Sequence, residues 1–186
     1  KLETGVLVKG TGDKAVPLRF TLATADVPEL RAAAEYLKKA WGQMGAQVDI
    51  AVYEQGDLSQ NVIRPRKYDA LLFGEVIGRG LDLFAFWHSS QRNDPGLNIA
   101  GYANTSVDKD LEALRTTTEP AARQQLLSQI ESLIQKDMPA AFLYAPDFVY
   151  SIPNDIAGVD LGYIETPSDR FLSVAQWHAQ TDYVWP

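Results

Sequence analysis

The chain contains no cysteine. That excludes thiolate catalysis, cysteine-ligated zinc and disulfide cross-links. Only two histidines occur, His88 and His178, too few for a histidine-rich metal centre. Positive charge is sparse as well: 17 Lys and Arg face 24 Asp and Glu, a formal net charge of −7. The densest basic cluster, Arg64, Arg66 and Lys67, is too small to track a phosphate backbone, so nucleic acid is not an expected partner. No stretch approaches the ~18 apolar residues of a membrane span, and the two ends, 1–5 and 180–186, carry no signal-peptide pattern. Nucleophile-elbow, zincin, P-loop and dinucleotide motifs are all missing. No enzymatic activity, cofactor or metal is therefore expected.

What the chain does have is a globular composition. At 186 residues, 46% of them hydrophobic and 22% charged, it is long enough for one domain with a real core. Residues 1–17 hold a Gly10-Thr11-Gly12-Asp13 turn between short apolar pieces, which reads as a hairpin or a loose leading strand. Leu18, Phe20 and Leu22 then alternate with Arg19, Thr21 and Ala23, the period of a strand. Asp26, with Glu29 three residues on, suits a helix start. Leu30, Ala33, Ala34, Leu37, Trp41 and Met44 share one face of that helix, and Gly45 stops it. Val48, Ile50 and Val52 alternate again. Asp57 suits the start of a short helix carrying Leu58, Val62 and Ile63, limited by Pro65. Ala70, Leu71, Leu72 and Phe73 are consecutively apolar, as in a strand covered on both faces.

This order predicts an α/β layer of parallel strands joined by right-handed crossovers. Ligands in such sheets bind beyond the carboxyl ends of the strands. The third of those ends runs into 79–108, a passage rich in Gly, Asn, Asp, Ser and aromatics that reads as a recognition surface. Beyond it, Thr105 with Asp108 suggests a capping box, and Val107, Leu111 and Leu114 mark a buried helical face. Pro120 suits the first turn of another helix, with Leu126, Leu127, Ile130, Leu133 and Ile134 inside and Pro139 at its end. Segments 141–144 and 148–152 read as strands, and 153–186 as irregular structure.

Downstream of the aromatic passage come Gly101, Tyr102, Asn104, Val107, Asp108, Thr118, Glu119, Pro120, Arg123, Asp137, Pro139, Leu143 and Tyr144, in that order. This succession resembles the C-terminal half of the bacterial family 5 extracellular solute-binding proteins, the oligopeptide-, dipeptide- and nickel-type binding proteins of ABC importers. The resemblance implies an α/β fold of βαβ layers with flanking helices, one lobe of a type II periplasmic-binding-protein fold. It implies a leading segment 1–17, a ligand-binding lobe 18–152, and a C-terminal segment 153–186 packing on that lobe or on an N-terminal lobe the chain does not contain. The implied function is capture of a small solute, a peptide first of all, by closure against that other lobe and delivery to ABC permease subunits. The implied place is extracytoplasmic, in the periplasm or lipid-anchored at the cell surface. Sugar, opine and metal-chelate carriers share the fold and stand as alternatives.

Candidate ligand contacts follow from residue chemistry and the resemblance together. Phe86 and Trp87 offer an aromatic wall, or else core packing. His88 offers a donor to a ligand carbonyl, or else a satisfied surface histidine. Asp94 lies in an Asn-Asp-Pro-Gly turn; the resemblance implies that an acidic residue ahead of the Val107-Asp108 helix start holds a peptide ammonium through a charge-assisted bond. Arg92 suits a ligand carboxylate. Asn98 and Tyr102 are polar contacts, Tyr102 and Asn104 with a structural role as the alternative. Gly74, with Glu75 and 78–80, lets a ligand backbone approach the strand tip, or simply makes the turn. A hydrolase reading would use His88, Ser89 or Ser90, and Asp94, but neighbours in one local run rarely assemble a base, nucleophile and orienter.

Overall fold

One strand carries four buried residues in a row: Leu22, Ala23, Thr24 and Ala25, within β4 (Arg19–Ala25). The computed structural model describes residues 2–3, 5–10, 14–77, 82–162, 164 and 166–179, and explains that run. β4 is the centre of a three-stranded parallel sheet, between β5 (Gln47–Tyr53) and β6 (Ala70–Leu72). Helix α1 (Pro28–Gln43) covers one face, where Leu22 packs with Ala34, Val48 and Leu72. The other face meets α2, which starts at Gln55–Asp57 and continues as a wider π turn over Leu58–Ile63. Ala23 and Ala25 pack there against Leu58 and Val62, their small side chains letting the helix lie close. The hydroxyl of fully buried Thr24 donates to the Leu72 carbonyl at 3.1 Å, so its polarity is satisfied.

The predicted strand–helix–strand–helix–strand layer is thus present, but its helix starts differ. Val27 caps α1 without a side-chain bond, and Pro28 occupies the first turn. Asp26 instead accepts from Arg31 at 2.9 Å. Glu54, not Asp57, caps α2, accepting from the amides of Gly56 and Asp57. Met44 was expected on the buried face of α1 but is 63% exposed, because it lies just past the helix end.

A second layer follows. The short α3 (Phe84–Trp87), α4 (Thr105–Thr116) and α5 (Pro120–Asp137) enclose Trp87, Tyr102, Val107, Leu111, Leu114, Ile130 and Ile134. Asn104 caps α4 through the amides of Ser106 and Val107, which leaves Asp108 free for another partner. Pro120 does open α5, and Glu119 caps it through the amide of Ala122. Arg123 reaches back to the carbonyls of Leu114 and Thr117, closing the exposed end of α4.

At the edges, β1 (Leu2–Glu3), β2 (Val6–Lys9) and β3 (Val16–Pro17) form an antiparallel meander. Most of the Gly10–Asp13 turn lies outside the described residues, as do 78–80 and the end 180–186. The strands expected at 141–144 and 148–152 do not form. Among the described residues they find no pairing partner, and Phe142, Leu143, Tyr144, Phe148 and Val149 stand exposed. Strand propensity without a neighbour to bond does not make a strand. Within the expected irregular C-terminal stretch, β7 (Ile156–Ala157) pairs with β8 (His178–Ala179).

Leu111 is 1% exposed at the contact of α4 with α5. Leu111→Ala should lower unfolding free energy by about 2–5 kcal/mol in urea titration. Met44→Ala, at an exposed position, should stay within about 0.5 kcal/mol of wild type in the same assay.

Candidate functional site

Asn98 fixes the passage between α3 and α4. It is fully buried, and its amide makes three hydrogen bonds. The Nδ2 donates to the carbonyls of His88 at 3.1 Å and Tyr102 at 3.0 Å, and the Oδ1 accepts from the Tyr102 amide at 3.1 Å. Expected at the ligand, Asn98 instead closes the loop on itself and has no face left for a solute. Inside that loop, Gly96 sits where a Cβ would collide with the Gln91 carbonyl, so only glycine fits.

Trp87 is 8% exposed, with its indole edge-on to Tyr102 at 6.1 Å and tilted against Phe142 at 5.8 Å. Half-buried Phe86 packs on the same cluster. Tyr102 is equally enclosed, and its hydroxyl donates to Asp137 at 2.6 Å. Burial and that carboxylate push the phenol up to about 12. Asn104 also donates to Asp137, at 2.7 Å. The spaced Tyr102, Asn104 and Asp137 therefore join the two ends of the helical layer.

His88 is stacked on Phe84 at 4.0 Å and buried. Its Nδ1 accepts from the Ser90 amide and caps the short turn that follows. Its Nε2 is enclosed without a hydrogen-bond partner, 3.5 Å from Glu112 Oε1 and 3.9 Å from Asp108 Oδ1. Ser89 donates to Asp108 through both its amide and its hydroxyl, at 2.8 and 2.6 Å. A relay of His88, Ser89 and Asp94 is not assembled: the Ser89 hydroxyl belongs to Asp108, and Asp94 lies elsewhere. Among the described residues no group of three His, Asp or Glu side chains is arranged to hold a metal.

The charged pair of the predicted set faces solvent. Arg92 is exposed and donates from Nε to the Ser89 carbonyl at 3.0 Å. Asp94 is half-exposed, 3.6 Å from Arg64. Gly74 follows the carboxyl end of β6, whereas Arg64, which holds Asp94, precedes the amino end of that strand. The two therefore lie toward opposite ends of β6. Glu75, next to Gly74 and weighed from the sequence only as part of a turn, carries a carboxyl pushed up to about 7 by the protein around it, although the residue as a whole is exposed. Its signal in the sequence is position alone, one residue beyond a strand-tip glycine. An open apolar pocket of roughly 270 Å³ lies at the amino ends of the sheet, lined by Leu7, Leu18, Phe20, Trp41, Met44 and Ala46. It offers no polar group to orient a solute and lies away from the strand tips.

No family model matches the chain. Individual proteins do. The oligopeptide-binding protein AppA of Bacillus subtilis is 26% identical over 144 residues, 77% of this chain and 25% of its own length. Its structure, solved with a nonapeptide, covers 94% of this chain and 35% of its own at 23% identity and a TM-score of 0.70. The nickel-binding protein NikA of Staphylococcus aureus is 25% identical over 90% of this chain and 33% of its own. NikZ of Campylobacter jejuni, solved with Ni(L-His), superposes over 93% of this chain and 36% of its own with a TM-score of 0.64 at 19% identity. All of these point to the family 5 extracellular solute-binding proteins.

The chain has the fold of one lobe of a type II periplasmic binding protein. It spans about a quarter to a third of the length of the curated relatives above. Those relatives are named as binding proteins for an oligopeptide and for nickel. No helix among the described residues is long and apolar enough to cross a membrane.

The Tyr102 and Asn104 bonds hold the Asp137 carboxyl below the usual carboxylate range. A depressed folded-state value adds stability above the ordinary carboxylate range, and that contribution is lost as pH falls through the lowered value. Asp137→Asn should therefore lower the melting temperature at neutral pH. The gap from wild type should close in strong acid, read by thermal melts across pH 2–7.

Proposed function

We propose that this chain is the solute-capture lobe of an ABC importer binding protein that takes up a peptide. The reading is carried by one observation: nearly the whole chain superposes on AppA, a protein solved around a nonapeptide. The lobe closes on its solute against a partner lobe, displacing water and shifting an open population toward a closed one. The captured peptide passes to permease subunits outside the cytoplasm.

In this proposal the ligand surface draws on both layers. The tip of β6 supplies open backbone at Gly74 and the Glu75 carboxyl. The helical layer supplies Phe86, the narrow exposed edge of Trp87, and the solvent-facing Arg92 and Asp94. Asp94 suits the peptide α-ammonium, Glu75 a lysine side chain further along the peptide, and Arg92 a peptide carboxylate. His88 and Tyr102 act behind this surface, setting the loop and the helical core. Separation along β6 favours an extended ligand: a nonapeptide spans about 30 Å, enough to touch both ends, whereas a compact chelate reaches only one.

Isothermal titration of the intact protein tests this with two probes, a pool of random nonapeptides and Ni(II)–L-histidine. The peptide pool should bind, and Glu75→Gln and Asp94→Ala should each weaken it by about tenfold, the loss of one charge-assisted bond. Binding of the nickel chelate alone, with one of the two substitutions silent, would replace the peptide reading with a metal-chelate carrier.

A further inference from the structure

The two layers have separate hydrophobic cores. Leu22, Ala34, Val48 and Leu72 belong to one, and Val107, Leu111, Ile130 and Ile134 to the other. Among the described residues, polar side chains of one short connection, residues 64–68, between α2 and β6, reach across from one layer to the other. The Tyr68 hydroxyl donates to the Ile99 carbonyl. Arg64 faces Asp94. Arg66 does most: its guanidinium donates to three carbonyls, Ile63 at 2.7 Å, Gly96 at 2.8 Å and Arg92 at 3.1 Å. One of these belongs to its own layer and two to the loop that carries Asp94. Arg66 holds this position with a backbone φ of +56°, a left-handed conformation unusual for a residue with a side chain.

We infer that Arg66 is a positioning residue for the solute surface, locking the 91–99 loop of the helical layer to the α/β layer. The inference rests on the preceding reading, in which that loop and the β6 tip face one solute. A planar fork with donors on fixed bearings can meet three carbonyls from two segments at once; an ammonium on a flexible stem cannot reproduce that pattern. The loop carbonyls at 92 and 96 otherwise lie outside helix and sheet, so Arg66, beside the Tyr68 bond to Ile99 and the Arg64–Asp94 pair, helps set the bearing of the Asp94 turn. One member of the small basic cluster of the sequence, Arg66, is thus a strap between the layers.

Three variants separate the strap from backbone and charge effects: Arg66→Gly, which suits the positive φ and should fold, Arg66→Lys, which keeps the charge, and Arg66→Ala. The loop amides of Gly96 and Asn98, bonded to the carbonyls of Asn93 and Gln91, report on loop opening. Their hydrogen exchange should quicken by about tenfold in the Gly and Ala variants while α1 and β5 amides are unchanged, with Lys restoring little of the protection. In the intact protein, Arg66→Gly should weaken binding of the random nonapeptide pool by about fivefold, in the same direction as Asp94→Ala. Unchanged loop exchange overturns the inference. So does full peptide affinity in Arg66→Gly when Asp94→Ala loses it, an outcome that leaves the solute site standing. Full affinity in Arg66→Gly, Asp94→Ala and Glu75→Gln together defeats the site itself, and the positioning role with it.

Discussion

A strand bonded on both edges and covered on both faces has no freedom left, and β4 is in that position. Its register with β5 runs through seven residue pairs and with β6 through three. Because side chains alternate across a strand, a slip of one residue would send Leu22 to the face of α2, which is built for Ala23 and Ala25. The small residues on one side and the larger ones on the other therefore set the register, the two helices and the direction in which the strand tips point. Everything proposed about the solute surface depends on that direction.

The helical layer is held by a different principle. Its core is apolar, but its connections are made by side chains that return to backbone: Asn98 across its own loop, Arg123 to the end of α4, and Asp108 to Ser89. Such bonds satisfy carbonyls and amides that have no place in helix or sheet. They also account for the polar residues at spaced positions that carry the resemblance to family 5. Tyr102, Asn104 and Asp137 form one cluster, with the Asp137 carboxylate accepting from both of the others. The spacing that marks the resemblance is therefore largely a record of packing, with binding chemistry confined to fewer residues.

How much of the candidate surface was legible differs by residue. Asp94 and Arg92 were visible as charges in a turn, and both face solvent. Trp87, Tyr102 and Asn98 looked like contacts because aromatic and amide groups serve ligands and interiors equally well, and composition does not say which side of a loop faces inward. Arg66 was visible only as one member of a basic cluster. Its three carbonyl partners are separated from it by 3, 26 and 30 residues, and two of those distances no local pattern encodes.

By itself the sequence determined the α/β layer, the two long helices and the resemblance to family 5. Those rest on period, capping and spacing, which act over a few residues and can be read in order. Tertiary structure alone decided that 141–144 and 148–152 are not strands, that Asn98 faces inward, and that Gly74 and Asp94 stand toward opposite ends of β6. Each of those depends on what lies across space: a pairing partner, a carbonyl from another turn, or the run of a helix back along the sheet.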